Sequence, residues 1–361
     1  MNGENKEKEI KILFVGAGQF PIYEQAFFEA AREMGYMNCE LFPWQRYFKQ
    51  GSKIRKIINR VELKLSIGAD INQYGRDLYE KCRILRPDIV FLYSCRIVPW
   101  RTVKKIKQLG LYIASYCNDD PFTSFHRPYF WRNWRNAARY CNINYVYRNK
   151  NIPEVQRITG SKVKLMPPYY RKQENYECKP EELILDTPDV IFLGHMEEDE
   201  RVEYIEALTE KGIEVGLNEH EFSFLGSNTR IRFLDDPRRK YNRYLCSCKI
   251  PIVFLSKINH DTYTRRCFEI PAAGAVLFCP YTEDLAAMFE EDREIIFYRG
   301  KEDFLYKITY YLEHEEERRQ IAQAGMKRVL RDGYEASDRV KEIIKDYLEE
   351  MRKIKDDNRT I

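Results

Sequence analysis

The fold is decided by residues 261–274, DTYTRRCFEIPAAG, and by the two apolar runs on either side of them. The run before is IPIVFL at 250–255, and the run after is AVLFC at 275–279. Both runs predict buried strands of a parallel sheet. Parallel neighbours need a crossover connection, usually a helix. Residues 261–274 therefore predict a loop and a short helix at the carboxyl edge of a sheet, where open α/β folds bind ligands.

Two arginines, Arg265 and Arg266, fall in the first turn of this predicted helix. Free N–H groups and the helix dipole favour an anion there. One turn further on, Glu269 offers a carboxylate that can accept hydrogen bonds from a pair of hydroxyls. Phosphate donors beside such a carboxylate suit a sugar nucleotide. The alternative is an exposed helix with solvated charges.

Three further pieces of sequence follow one another in order between about residues 249 and 339: SKI at 256–258, T-x-R-x-F-E-I-x-A-x-G at 264–274 and EERRQIAQAG at 316–325. With these pieces the region resembles the C-terminal half of the CgeB-like (spore maturation protein-like) glycosyltransferases. These are relatives of the family-4 retaining glycosyltransferases. The order and spacing of the three pieces carry the resemblance. It implies the α/β GT-B fold, with two Rossmann-like domains facing an interdomain cleft and a C-terminal helix that crosses back.

The resemblance also implies roles for individual residues. In the wider family two carboxylates serve the sugar donor, and the second of them binds the ribose. Glu269 stands at that second position, and Asp261, eight residues earlier, stands where the family has a glutamate that approaches the donor sugar. Gly194, His195 and Arg201 stand where the group has a loop that faces the donor.

The charges of this region predict how a leaving diphosphate would be stabilised. Lys257, Arg265 and Arg266 supply cations for it. The two acidic pairs, Asp186-Thr-Pro and Asp235-Asp236, lie outside the expected site. We therefore expect no metal and no cofactor, with a nucleotide sugar, UDP- or GDP-linked, as the substrate.

Bulk composition limits the class of protein. The chain has 361 residues, enough for two domains, and a net charge of +4, too small by itself to indicate nucleic-acid binding. Its ten cysteines include no CxxC pair, which favours reduced thiols in the cytoplasm. The polar N-terminus does not resemble a signal peptide, and no apolar run reaches the length of a membrane span.

The N-terminal half supplies the acceptor-side candidates. Gly16-Ala-Gly18 follows a first strand but lacks the third glycine of a dinucleotide fingerprint. In the GT-B architecture this loop usually meets the acceptor, so Gln19 and Tyr23 are candidates, with ordinary turn residues as the alternative. Asp119 and Asp120 follow another strand. They predict a general base or an acceptor ligand, and the alternative is an Asx turn with one aspartate capping.

The segment 46–64 is basic and predicts an amphipathic helix that can lie on anionic lipid headgroups. A solvated helix face is the alternative. Its cations are Arg46, Lys49, Lys53, Arg55, Lys56, Arg60 and Lys64, and its apolar residues include Ile54, Ile57, Ile58 and Val61.

A second unusual segment, FHRPYFWRNWR at 125–135, mixes aromatic residues with arginines. We interpret it as a cleft wall or acceptor platform and expect no nucleic-acid partner, because the rest of the chain is not basic enough.

These features predict three parts of the chain: an acceptor-side Rossmann-like domain over 1–170, a nucleotide-sugar-binding Rossmann-like domain over 171–335, and a helix over 336–361 that packs back on the first domain. The predicted function is metal-independent, retaining transfer of a hexosyl unit to a cell-surface polysaccharide or glycolipid precursor. The protein would act in the cytoplasm or at the inner face of the membrane. A non-catalytic nucleotide-sugar-binding or assembly protein and a sugar-nucleotide epimerase are the alternatives.

Overall fold

A computed structural model describes residues 8–48 and 51–357. The expectations for residues 1–7, Lys49 and 358–361 lie outside these ranges. The chain divides into two compact units, Met1–Pro167 with Ala336–Ile361, and Pro168–Glu335. The division follows the Pro167-Pro168 pair, where the proline rings remove two backbone donors and interrupt regular structure.

Unit 1 contains a parallel six-stranded sheet in the order β2-β1-β3-β4-β5-β6. Its strands are β1 (Ile12–Gly16), β2 (Cys39–Pro43), β3 (Ile89–Tyr93), β4 (Tyr112–Cys117), β5 (Ile143–Val146) and β6 (Lys162–Leu165). The central strands β1, β3, β4 and β5 are buried along their whole length, as continuous apolar runs in a parallel sheet predict.

Helices of unit 1 connect these strands. They are Ala26–Glu33, Lys53–Leu65, Ala69–Leu85, Trp100–Gln108, Arg132–Ala137, Asn151–Thr159 and Ala336–Asp357. A single turn with π-type bonding, Pro21–Gln25, precedes the first helix, and Tyr23 within it has non-helical angles, φ −101° and ψ −127°. The regular α-helix therefore begins only at Ala26.

The C-terminal helix Ala336–Asp357 belongs to unit 1 and packs against helix Ala26–Glu33. A buried carboxylate fixes it to the sheet. Asp346 accepts hydrogen bonds from Tyr145 Oη at 2.7 Å, Lys162 Nζ at 2.8 Å and Lys164 Nζ at 2.5 Å. These donors lie on β5 and β6, so this helix covers the far edge of the sheet.

Unit 2 repeats the parallel pattern. Four strands have the order β10-β7-β8-β9, and two more, β11-β12, continue the sheet through the parallel pairing of Ile252 with Phe278. The strands are β7 (Val190–Phe192), β8 (Val215–Leu217), β9 (Ile231–Phe233), β10 (Ile250–Pro251), β11 (Phe278–Pro280) and β12 (Ile296–Tyr298). The resulting order places the first strand of the unit beside the fourth, as in a Rossmann-type sheet.

Seven helices of unit 2 are described: Arg201–Glu210, Glu219–Phe222, Tyr241–Ser247, Arg266–Ala272, Glu283–Met288, Gly300–Glu313 and Glu315–Arg331. The helix Arg266–Ala272 is short and contains Pro271, as the sequence predicts. The strands flanking it, β10 and β11, are shorter than their apolar runs, because only part of each run makes ladder pairs.

Candidate functional site

Loops at the carboxyl edge of the unit 2 sheet surround a cavity of about 850 Å³. They follow β7, β10, β11 and β12, whose carboxyl ends meet at one edge because the strands are parallel. Three of the predicted donor-side residues, Arg201, Lys257 and Asp261, line this cavity. Its other walls come from Asp199, Glu200, Tyr204, Phe254, Leu255, Ser256, His260, Pro280, Tyr281, Thr282, Tyr298, Arg299 and Gly300.

Beside the cavity, the start of helix Arg266–Ala272 carries the predicted phosphate and ribose ligands. Arg266 donates through Nε to the carbonyl of Leu193 at 2.7 Å, which ties the helix to the end of β7. Within residues 8–48 and 51–357 its Nη atoms have no hydrogen-bond partner. The Arg266 side chain is half-buried, so these donors can turn to a phosphate at modest cost.

Glu269 is 5 % exposed and has both carboxylate oxygens engaged. Oε1 lies 2.5 Å from Arg265 Nε, and Oε2 accepts a hydrogen bond from Tyr241 Oη at 3.1 Å. Burial, followed by the charge of Glu269, raises the pKa of Tyr241, so this phenol stays protonated and can only donate to the carboxylate. Each carboxylate oxygen has two lone pairs, so acceptor capacity remains for ribose hydroxyls.

Arg201 has a different environment from the one expected of a donor ligand. Its side chain is 3 % exposed and forms a two-point pair with Asp199, with Nε to Oδ1 and Nη2 to Oδ2 both at 2.7 Å. Its Nη1 donates to the carbonyl of His195. The acidic loop that follows Gly194 thus neutralises the guanidinium of Arg201. Arg201 holds this loop in place, and its positive charge is not available to a ligand in the cavity.

Lys257 differs from Arg201 because its ion pair is exposed. Its Nζ contacts Glu200, and the two side chains are 64 % and 53 % exposed. An exposed pair of this kind contributes at most about 1 kcal/mol, so a phosphate can take the place of Glu200. Asp261 is half-buried and follows His260, which has a left-handed conformation with φ 52°. The backbone N–H of Asp261 donates to Ser256 O at 2.9 Å, which closes the turn at the cavity.

Gly194 and His195 begin the loop that Arg201 holds. A Cβ on Gly194 would overlap the ring of Phe192, so glycine permits the close approach of this loop to β7. His195 is 81 % exposed, with Nδ1 3.1 Å from Glu221 Oε1. Burial raises the pKa of Glu221, but the hydrogen bonds that it accepts from the Met196 N–H and from His195 outweigh the effect of burial. The pKa of Glu221 is therefore lowered.

The two aspartates of unit 1 have opposite environments, although they are adjacent in sequence. Asp120 is fully buried and accepts from Lys150 Nζ at 2.7 Å, from the Phe122 N–H at 2.9 Å and from Asn151 Nδ2 at 3.0 Å. Burial raises its pKa, but these hydrogen bonds outweigh the effect and leave the pKa lowered. Asp120 therefore stabilises its loop and is not accessible to act as a base. Its hydrogen bond from the Phe122 N–H forms the Asx-type turn that the sequence offered as the alternative.

Asp119 is half-buried and sits among ionisable groups. Burial raises its pKa above the ordinary value, against the lowering influence of Arg148, His126 and Arg96. Burial also lowers the pKa of Arg96 to about 10. A carboxylate with a raised pKa beside cations can accept a proton more readily than an ordinary aspartate or bind a sugar hydroxyl, so Asp119 remains the acceptor-side candidate.

The segment after β1 that holds the predicted acceptor residues also contains a buried carboxylate that the sequence did not single out. Glu24 is 1 % exposed and accepts from the Gly18 N–H. Burial raises the pKa of Glu24. The glycine loop thus binds a carboxylate of its own chain in the place where a dinucleotide fingerprint would bind pyrophosphate. Tyr23 stacks on Tyr93 with ring centroids 5.3 Å apart, and Gln19 is exposed.

The aromatic and arginine segment 125–135 is mostly structural. Trp131 and Trp134 are 3 % and 2 % exposed and belong to a core cluster of unit 1. The guanidinium carbon of Arg96 lies 4.0 Å from the ring centroid of Phe130, and this ring also stacks on His126. The prediction of an acceptor platform is therefore wrong for the two tryptophans, because their rings are buried in the core and are not accessible to a ligand.

Sequence patterns missed several residues that line or support the unit 2 site. Tyr281 is 40 % exposed at the cavity, with the guanidinium of Arg299 4.1 Å from its ring centroid. Tyr241 precedes the motif by more than twenty residues and reaches Glu269 only in the fold. The exposed aromatic ring offers a planar surface on which a base or sugar can stack.

Neither a metal cluster nor a membrane-spanning helix is present among the residues that the structure describes. In residues 8–48 and 51–357, no group of three or more His, Cys, Asp or Glu side chains is arranged to hold a metal ion. Over the same ranges, every helix is too short or too polar to cross a bilayer.

Comparison with known proteins adds a family match for the second half of the chain. Residues 201–345 match the family model described as glycosyl transferase-like. The match covers the cavity lining except Asp199 and Glu200, the helix Arg266–Ala272 and the EERRQIAQAG segment, and it spans less than half of the chain. A search of curated proteins returned no match.

Solved structures show the same fold over nearly the whole chain. HepE of Anabaena, solved with UDP and glucose, superposes with a TM-score of 0.63 at 11% identity, covering 94% of this chain and 100% of HepE. A glycosyltransferase from Rickettsia africae gives 0.65 at 12% identity, covering 94% and 98%. A protein of Listeria monocytogenes with the provisional name UDP-N-acetylglucosamine 2-epimerase gives 0.57 at 13% identity, covering 95% and 97%. The α/β GT-B fold predicted from the sequence is confirmed.

Proposed function

We propose that this protein is a glycosyltransferase that moves a hexosyl unit from a nucleotide sugar to a cell-surface polysaccharide or glycolipid precursor. One observation carries the proposal. The cavity at the carboxyl edge of unit 2 is lined by Lys257 and Asp261, and the helix that follows them in the chain carries Arg266 and Glu269, all within the residues that match a glycosyl transferase-like family. HepE, which shares the fold, was solved with UDP and glucose, and this supports a nucleotide sugar as the donor here.

The donor would be held by charge on one side and by hydrogen bonds on the other. The Nη donors of Arg266, with Lys257 after release of Glu200, would bind the diphosphate and stabilise the negative charge that develops as it leaves. Glu269 would accept hydrogen bonds from the ribose hydroxyls while Tyr241 and Arg265 hold it in place. Asp261 would orient the donor sugar from the cavity wall.

The acceptor would bind in unit 1, with Asp119 as its carboxylate. With retention of configuration, which the family resemblance implies, Asp119 would bind and orient the acceptor hydroxyl. With inversion, its raised pKa would suit it to remove the proton of that hydroxyl. We propose that transfer needs no metal, with the arginine and lysine side chains in the place of a divalent cation. A lipid-linked acceptor would bring the cytoplasmic protein to the inner face of a membrane.

Calorimetric titration with UDP-, GDP-, dTDP-, ADP- and CMP-linked sugars tests the donor site, with Glu269→Ala as the matched variant. We expect selective binding of one donor, with loss of that binding in the variant. Failure of the folded protein to bind any donor would contradict the donor site. Slow release of nucleoside diphosphate in the presence of EDTA, increased by an acceptor, would support metal-independent transfer.

The chemical fate of the bound donor separates the alternatives. A sugar-nucleotide epimerase shares this fold, as the Listeria neighbour suggests, but it would change the sugar configuration of the bound donor without an acceptor, which proton NMR detects. A non-catalytic binding protein would bind the donor and leave it intact in both assays. Conversion of the donor sugar without transfer, or binding without any turnover across an acceptor panel, would overturn the transferase proposal.

A further inference from the structure

Helix Lys53–Leu65 turns its polar side toward the protein. Asn59 and Glu62 are its most buried residues, 3 % and 8 % exposed. Asn59 Nδ2 donates to the Phe48 carbonyl at 2.8 Å. The carboxylate of Glu62 accepts from the Ala69 N–H at 2.8 Å and the Asp70 N–H at 3.0 Å, and so caps the next helix. These bonds fix the rotation of the helix about its axis.

As a result the aliphatic side of the helix faces outward. Ile54, Ile57, Ile58 and Val61 are 71 %, 59 %, 41 % and 50 % exposed. Their spacing places them on one stripe of an α-helix. Ile67, just after the helix, is 51 % exposed. A run of β-branched aliphatic side chains in water is unfavourable, and a contiguous exposed patch of this kind marks an interaction surface.

The charge on the rest of the exposed surface is of one sign. Lys53, Lys56, Arg60 and Lys64 are exposed and recur every three or four residues, on a stripe beside the aliphatic one. Glu62 is the only acidic residue of this helix, and it points inward. The exposed surface of the helix therefore combines an aliphatic stripe with a basic stripe and carries no acidic group, which is the composition of a helix that lies in a membrane interface.

The positive surface continues past the end of the helix. Ser66 and Ile67 line a cavity of about 630 Å³ in unit 1. Four cations of its lining have no acidic partner within residues 8–48 and 51–357: Arg76, Arg101, Lys105 and Arg132. The one acidic residue of the lining, Glu80, is paired with Arg83 at 2.8 Å. This surplus of unpaired cations next to the aliphatic stripe favours an anionic partner.

We propose that helix Lys53–Leu65 docks unit 1 on an anionic phospholipid bilayer, with its aliphatic stripe among the acyl chains and its basic stripe against the phosphates. Charge decides between this partner and a second copy of the chain. A symmetric contact between two copies would place the basic stripes of both helices together, whereas an anionic lipid surface neutralises them. The docking goes beyond sugar transfer and holds whether or not the protein is a transferase.

Docking here would bring the lipid surface close to the acceptor-side carboxylate. Arg96 Nη1 donates to the Leu63 carbonyl at 2.8 Å and to Ser66 Oγ at 3.1 Å, at the end of the docking helix. The charge of the same arginine acts on Asp119. Arg96 therefore contacts the end of the docking helix and also acts electrostatically on the candidate acceptor ligand.

Vesicle flotation of the full chain tests the docking. We expect partition onto vesicles of phosphatidylcholine with phosphatidylglycerol, reduced by salt, and weak partition onto phosphatidylcholine alone. Ile57→Ser with Val61→Ser should weaken partition by about tenfold for each side chain removed from the acyl region. The matched control is Ile84→Ser in the same unit; this isoleucine is 74 % exposed but lies away from the stripe, and its variant should partition like the wild type.

Removal of the charges should act separately from removal of the aliphatic groups. Lys56→Gln, Arg60→Gln and Lys64→Gln together should weaken partition by about 100-fold, or about fivefold for each charge. Since all these side chains are exposed, the variants should unfold at the wild-type temperature in circular dichroism. The proposal is overturned if Ile57→Ser with Val61→Ser partitions like the wild type, or if binding is indifferent to anionic lipid. It is equally overturned if light scattering shows a dimer that these substitutions dissociate.

Discussion

The pairing of Glu269 with Tyr241 and Arg265 makes a quantitative prediction for Glu269→Gln. Glutamine keeps the size of the side chain but removes the charge and leaves one acceptor oxygen in place of two. The Tyr241 hydroxyl, at 3.1 Å from Oε2, and the Arg265 guanidinium, at 2.5 Å from Oε1, both lose an ionised partner. In the donor complex, the ribose hydroxyls lose the same partner.

The two losses differ in size because they differ in solvent access. Arg265 is 28 % exposed and Tyr241 keeps one neutral acceptor, so the free energy of unfolding should fall by only about 1 kcal/mol. The ribose contact forms in an enclosed site with an ionised acceptor, and its loss should cost about 2 kcal/mol of binding free energy. The dissociation constant of the donor should therefore rise about 30-fold.

Calorimetry of the donor and urea unfolding without ligand measure the two effects separately. Glu290→Gln is the control, since Glu290 is 59 % exposed and pairs with Arg293 on the surface, and it should change neither quantity. A donor dissociation constant within about twofold of wild type would refute the ribose contact. A large loss of stability with an equal loss of donor binding would instead mean that Glu269 acts mainly in holding the helix.

Two further predictions concern buried carboxylates of unit 1. Asp119→Asn should leave donor binding unchanged and, if transfer inverts with Asp119 as the base, reduce transfer by about 100-fold, the lower range for loss of a general base. Because burial raises the pKa of Asp119, the wild-type rate should fall on the acid side at a pH above the ordinary aspartate value of about 3.9, and the variant should lack that limb in a pH–rate profile. Asp346→Asn leaves Tyr145 and two lysines without their carboxylate and should lower the free energy of unfolding by about 3 kcal/mol in urea titration, while Asp357→Asn on the same helix should have no effect. Burial raises the pKa of Asp346, but the hydrogen bonds from its three donors outweigh burial and leave the pKa lowered. The stability that Asp346 contributes is therefore present above its unfolded-state pKa and lost as the pH falls through its folded-state pKa. A difference in stability between wild type and Asp346→Asn that persists unchanged into strong acid would contradict this role.

The fold was predictable because its signal is local and repeated. Each buried parallel strand is a continuous apolar run, and the connection after β10 had to be a crossover at the ligand edge. The position of Arg265, Arg266 and Glu269 at the start of a short helix followed from that placement alone. The assignment of Tyr241 to the same site could not follow, because it depends on how two helices separated by β10 lie against each other.

Charge type did not reveal which groups are available to a ligand. Arg201 and Lys257 are both cations on the same edge, yet Arg201 is 3 % exposed and paired twice with Asp199, while Lys257 is 64 % exposed. Asp119 and Asp120 are neighbours, yet only Asp120 meets Lys150 and Asn151. Burial and partners are set by residues distant in sequence, so the same residue type becomes a structural anchor at one position and a ligand candidate at the next.

Three features follow from the amino-acid sequence alone: the parallel α/β architecture, the ligand edge of unit 2 and the amphipathic character of the segment that forms helix Lys53–Leu65. The tertiary structure alone decided which side of that helix faces water. Periodicity defines two faces of a helix but does not orient them. The bonds of Asn59 to Phe48 and of Glu62 to the start of the next helix turn the polar side inward, and the isoleucines are exposed because those bonds cannot form in any other rotation.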